Sequence, residues 1–159
     1  MNLKQFFVGR AIGLIVLILI ILAYSLFFNK EETNLKLCYI RNTEDGASSD
    51  LVLKVSGKKV SGSFRLVSAE KDVKEGSISG RVTDPDTELS NGIIKLNWDA
   101  NSEGVTNSEE LRLRFSEGVV APGFGEMKKE GGVYVYADPE KIVYEPNLSL
   151  VDCETEIVN

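Results

Sequence analysis

From Leu35 onward the chain alternates apolar and polar residues with a period of two, segment after segment. "LKLCYIR" sets Leu35, Leu37 and Tyr39 on one face; "LVLKV" does so with Leu51, Leu53 and Val55. "VSGSFRL" presents Val60, Gly62, Phe64 and Leu66, and "GSISGRV" presents Ile78, Gly80 and Val82. "IIKLNW", "LRLRF", "GVYVYAD", "KIVYE" and "LSLVDC" continue the pattern. Strict alternation is the signature of half-buried strands, because successive side chains of a strand point to opposite faces. The joints are rich in Gly, Asn, Asp and Pro ("NTEDGASSD", "SGKK", "TDPDTELSNG", "KEGG", "ADPE"), residues that make turns for separate physical reasons. About eight to ten short strands at this spacing predict an all-β domain. No long amphipathic helix is expected; "TNSEELR" could hold one short helical turn and "SAEKD" another.

Glycines at 62, 80, 123 and 125 fall in or beside strands, where they mark bends that let a sheet curl. A curled antiparallel meander tends to close, since closure removes unpaired edges. The expectation is a small barrel, with a β-sandwich as the alternative. The two cysteines, Cys38 and Cys153, flank almost the whole β region and would meet across the seam of a barrel. In an exported protein an even count favours a disulfide over two buried thiols.

The first thirty residues are a different object. Lys4 and Arg10 precede an uncharged run, residues 11–28, and "NKEE" ends it. As a helix that run is about 27 Å long, close to the ~30 Å hydrocarbon core of a bilayer. It exceeds the usual apolar core of a signal peptide, about 7–15 residues, although Ala23 and Ser25 are spaced like a cleavage site. Length and flanks favour a retained single-pass anchor. The basic residues before it place the N-terminus in the cytoplasm and the rest outside. The division is 1–30 for stub and anchor, 31–34 for a linker, and 35–159 for the extracytoplasmic β domain. Leu37 before Cys38 argues against a lipoprotein, and Arg10 after Gly9 with Leu14 where a pilin has Glu argues against a type IV pilin leader.

Of 18 basic residues, three precede Glu31, and all 24 acids follow Lys30. A domain this acidic repels nucleic-acid phosphates and anionic lipid heads; it suits solubility, cations or a basic partner. No nucleic-acid partner and no cofactor are expected. The chain has no histidine, which removes Ser-His-Asp and Cys-His catalysis and any zinc site that needs imidazole.

The segments "CYI", "VSG", "AEKD", "TNSEELRLRF", "GFGEM", "GVYVYADP" and "VDC" together resemble a group of small, N-terminally anchored bacterial proteins of the candidate-phyla type. The resemblance spans nearly the whole β domain. It implies the anchored architecture and no particular activity. The meander is also similar in architecture to the calycins, the avidin and lipocalin barrels, without the lipocalin Gly-x-Trp near the first strand.

Several residues are candidates for chemistry. In "VAPGFGEM", residues 120–127, Glu126 could hold a cation or a proton beside Phe124 and Met127. The structural alternative is favoured there: Pro122 ends pairing, Gly123 and Gly125 bend the strand, and Phe124 packs inside. Glu70 and Asp72 in "AEKD" could form a carboxylate pair in a cleft, or simply a solvated turn. Asp84, Asp86 and Glu88 offer oxygen ligands for Ca²⁺, but Leu89 and Lys95 stand where an EF-hand needs Gly and Glu. Trp98, Phe124, Tyr134, Tyr136 and Tyr144 could line a ligand cavity, or fill a barrel interior. "NLS" at 147–149 is a glycosylation sequon.

The sequence thus leads to a binding or interaction module at the cell envelope, with the membrane and an envelope protein as partners. A calycin-like carrier of a small apolar ligand is the second expectation. A carboxylate-based envelope hydrolase is the third, and no catalytic motif supports it.

Overall fold

The computed structural model describes residues 34–154. The apolar run of residues 11–28, and with it the expected anchor, lies outside them. Among the described residues no helix is long and apolar enough to cross a membrane.

Eleven strands form one sheet. They are β1 (Asn34–Asn42), β2 (Ser48–Ser56), β3 (Lys59–Val67), β4 (Val73–Arg81), β5 (Ile93–Ser102), β6 (Val105–Ser116), β7 (Val119–Phe124), β8 (Met127–Glu130), β9 (Val133–Tyr136), β10 (Val143–Tyr144) and β11 (Leu148–Val151). One short helix, α1 (Pro85–Glu88), joins β4 to β5. Strands β1 to β7 form a meander, and β11 slots between β7 and β1. The result is a closed eight-stranded antiparallel barrel, not a sandwich. Strands β8, β9 and β10 are an excursion on its flank: β9 runs parallel to β6 through Glu109 and Tyr134, and β10 pairs with β7.

The expected helical turns are absent. "TNSEELR" lies inside β6, and "SAEKD" is the turn between β3 and β4, with Lys71 at a φ of 74°. Local propensity there loses to pairing, since Thr106 to Arg112 find partners along β5 from Asn101 to Lys95. Among the described residues the α-helical turn is instead "PDTE", where Pro85 pre-sets the first-turn dihedral, and Pro139–Lys141 form a 3-10 turn.

Turn chemistry sets the register. "SEGV" occurs twice, at 102–105 and 116–119, and each copy is a two-residue hairpin with both loop residues at positive φ: 52° and 81°, then 37° and 83°. Gly131 and Gly132 do the same between β8 and β9. Such turns match the twist of paired strands.

Inside, alternate residues meet as one core. Leu53, Phe64, Ile78, Leu113, Phe115 and Leu148 are all no more than 2% exposed. Trp98 lies against Phe64 with ring centroids 5.1 Å apart, and Tyr39 meets Phe115 edge-on at 6.0 Å. Gly62 and Gly76 are required by close strand approach. A Cβ on Gly62 would sit 1.8 Å from the Val52 carbonyl oxygen, and one on Gly76 would sit 1.8 Å from that of Asp99. At the seam Cys38 of β1 faces Val151 of β11, and Cys38 is bridged to Cys153 just beyond, with Cα atoms 5.2 Å apart.

The barrel has two ends. The lower one holds the start of β1, the β2–β3 hairpin, α1 and the β6–β7 hairpin. The upper one holds the β1–β2, β3–β4 and β5–β6 connections.

Candidate functional site

Several grooves and cavities of the described residues have polar linings, and two of them bear on the candidate residues. The first is the upper mouth. Lys74 and Glu109, at inward positions of β4 and β6, form an ion pair of 2.7 Å, and the Lys74 ammonium lies 4.8 Å from the centre of the Trp98 ring. The pair closes the interior with charge, and Trp98 closes it with a ring. Beside it a cavity of about 230 Å³ is lined by Phe64, Trp98, Glu109, Phe124, Met127 and Tyr136. That is below the roughly 300–1,000 Å³ of ordinary small-molecule sites. The Trp98 indole N–H is buried and has no hydrogen-bond partner.

Under the β8–β9 hairpin, Glu110 points outward yet is 6% exposed. It accepts from Arg112 Nε at 2.7 Å and pairs with Lys95 Nζ at 2.9 Å. Burial pushes its carboxyl up, but the bonds and charges of Lys95 and Arg112 outweigh that and hold it below the usual carboxylate value. The Tyr136 hydroxyl donates to the Gly123 carbonyl oxygen at 2.5 Å. Burial, reinforced by the nearby Glu110 charge, pushes that phenol up to about 12.

The second place is a groove of about 660 Å³ on the lower outer wall of β1–β4. Strand register builds it. Lys36 faces Lys54, Lys54 faces Ser61, and Ser61 faces Ser79; one row lower, Lys59 faces Arg81. All four cations are exposed and line the groove. None of the four forms an ion pair among the described residues. Like charges directly opposite one another across a strand pair repel. The charge of this acidic domain is therefore uneven: net charge averages over the surface, and at the groove the described acids lie elsewhere.

The candidates from sequence scatter. Trp98 and Tyr136 are core residues, and with Phe124 they line the mouth cavity. Phe124 is 41% exposed, not packed inside. Pro122 does not end pairing either: it is buried in β7 opposite Leu113, and the strand continues to Phe124. A proline fits there because the position needs no donor toward a neighbour. Gly123 is explained by crowding, since a Cβ would meet Ile142 Cγ2 at 2.7 Å. Tyr134 and Tyr144 lie outside the barrel under the cations of Lys129 and Arg114.

Glu70 and Asp72 are exposed in the β3–β4 turn, where the Asp72 N–H donates to Ser68 Oγ. Glu126 is exposed between β7 and β8, its carbonyl accepting from the Ala137 N–H. None of these three carboxylates lines the mouth cavity or the groove. Asp84, Asp86 and Glu88 do not converge: Asp84 accepts from the Thr87 hydroxyl, and Glu88 accepts from the Thr83 N–H. Among the described residues no group of three His, Cys, Asp or Glu side chains could hold a metal ion.

The groove was missed because its four cations come from four strands. In the sequence they are single Lys and Arg residues at polar positions of the alternation. Only the register makes them neighbours. Compared with protein-family models, curated proteins and solved structures, the chain matches none.

Proposed function

We propose that this chain is a membrane-tethered, extracytoplasmic binding module. Its barrel is a scaffold, and its outer wall is the working surface. The observation that carries this reading is the packed interior: Leu53, Phe64, Trp98, Leu113 and Phe115 occupy the space where a calycin-like carrier holds its ligand. The mouth cavity lies to one side and is too small for a typical apolar cargo. The Cys38–Cys153 bridge supports the oxidising compartment, and the uncharged run of residues 11–28 supports the tether.

The reading assigns no reaction to Glu70, Asp72 or Glu126. Its test is made on intact host cells with a lysine-acylating reagent that cannot cross the membrane. Lysines of the barrel should be labelled while the chain stays in the membrane fraction through an alkaline carbonate wash. Labelling only after lysis, or release by the wash, would overturn it.

A further inference from the structure

We infer that the groove on the lower outer wall of β1–β4 is a docking surface for the anionic phospholipid headgroups of the membrane that tethers the chain. This rests on the tethered-module reading above. Four features of the molecule carry it.

First, the groove has the chemistry of a phosphate site. Lys36, Lys54, Lys59 and Arg81 surround it, and the hydroxyl residues Ser61 and Ser79 lie on its floor. Ammonium, guanidinium and hydroxyl groups are all donors to phosphate oxygens. Second, Leu35 also borders the groove and is 41% exposed, while Val55 and Val60 beside it face the core. Apolar surface ringed by cations fits an amphiphile's head better than a free ion. Long cationic side chains suit such a boundary, because their stems cover apolar surface while the charge stays outside.

Third, no ion pair among the described residues compensates this charge. Arg65, on the same wall nearer the upper end, is held by Asp50 at 3.4 Å and Glu75 at 3.3 Å. The four lower cations have no such acids facing them. Two acids that follow Arg81 along the chain are engaged locally: Asp84 accepts from the Thr87 hydroxyl and Glu88 from the Thr83 N–H. Cations with no ion-pair partner among the described residues suit an anionic surface.

Fourth, the tether is short. β1 starts at Asn34, whose side of the groove is the lower end, and the uncharged run ends at Phe28. Six peptide steps span at most about 20 Å, at roughly 3.3–3.6 Å each. Lys30, Glu31 and Glu32 lie on that link, so its own charge is nearly balanced. With the run in a bilayer, that length is the most the link can put between the end of the run and the start of β1.

The test uses the full chain in lipid nanodiscs, one set of phosphatidylcholine alone and one with about a third phosphatidylglycerol. The readout is the acylation rate of each lysine by mass spectrometry. Lys36, Lys54 and Lys59 should label at least about fivefold more slowly in the anionic discs, the factor expected for a cation held at such a surface. Lys129 and Lys141, on the β8–β9 flank and beyond, should label alike in both sets and serve as the reference. The protection should vanish in 0.5 M salt and fall for Lys36 when Lys54 and Lys59 are both replaced by Gln.

Equal rates in both sets, with the chain still bound to the discs, would overturn the docking surface and leave the tethered module standing. Equal protection by millimolar inorganic phosphate in phosphatidylcholine discs would overturn lipid docking in favour of a soluble anion. Failure of the chain to remain with discs of either kind would overturn the tether, and the docking surface with it.

Discussion

The outer wall of β1–β4 carries two charge arrangements, one above the other. In the upper row Arg65 is flanked by Asp50 on β2 and Glu75 on β4, so the row neutralises itself. In the lower rows Lys36 meets Lys54 and Lys59 meets Arg81, with no acid between them. Between the two lie Ser63 and Ser77, uncharged. The strands, the twist and the core beneath are continuous, so the difference is not a demand of the fold. One half is neutralised by its own acids; the other has no ion pair among the described residues.

The largest way to disturb this comparison is to cut the frame that both halves share. The Cys38–Cys153 bridge closes a loop with a sequence separation of 115, worth about 5 kcal/mol in the chain-entropy model. The double variant Cys38→Ala/Cys153→Ala should lose roughly 2–5 kcal/mol in a denaturant titration. Amide exchange should rise most at the seam of β1 and β11. A uniform rise over β1–β4 would mean that the two halves are not separable.

Buried pairing sets the next scale. Glu110 is a carboxylate under the β8–β9 hairpin, and Arg112 is its better-covered partner. Arg112→Leu should cost about 3 kcal/mol, because it leaves a buried charge with one exposed lysine. The folded pKa of Glu110 is depressed, so its stabilisation is present above the ordinary value of 4.5 and lost as pH falls through the folded value. Acid titration of stability should therefore be steeper in the native chain than in Arg112→Leu. Parallel curves would show that the cluster contributes nothing.

Glycine substitutions separate the two halves sterically. Gly76→Ala, in the upper half, drives a Cβ into the Asp99 backbone and should cost about 3 kcal/mol or more. Gly80→Ala, in the lower half, meets the Leu96 Cδ2 tip at 2.6 Å, which can swing aside, and should cost about 1 kcal/mol. Thermal unfolding of both variants checks the order.

The smallest effects carry the sign that matters most. Arg65→Ala removes an attraction and should lower stability by up to about 1 kcal/mol. Lys54→Gln removes a repulsion and should raise it by a few tenths of a kcal/mol, in low salt only. If both changes destabilise, the lower cations are not in conflict and the groove loses its distinguishing feature.

Most of the barrel could be read from the alternation, and the bridge from the positions of the two cysteines at its ends. What the sequence hid was whatever depends on register. β11 enters the barrel out of chain order, after an excursion through β8, β9 and β10, and nothing in "LSLVDC" says which neighbours it takes. "TNSEELR" favours a helix locally and becomes β6, because ten partners along β5 outweigh a cap. Phe124 and Trp98 are both aromatics next to turn-like residues. One ends exposed and one buried, as the turn after Gly123 and the pleat of β5 dictate. The groove is the extreme case: single lysines at unremarkable positions become a site only when four strands align.

The central claim is that the interior is filled and that binding happens outside it. Trp98 is the chain's single tryptophan, 4% exposed against Phe64, so its fluorescence reports on the interior alone. Titration with a brominated fatty acid, whose bromine quenches an indole on contact, tests the claim directly. The account predicts blue-shifted Trp98 emission, poorly reached by acrylamide and unchanged by the fatty acid. Saturable one-to-one quenching would place a ligand beside Trp98 and contradict it.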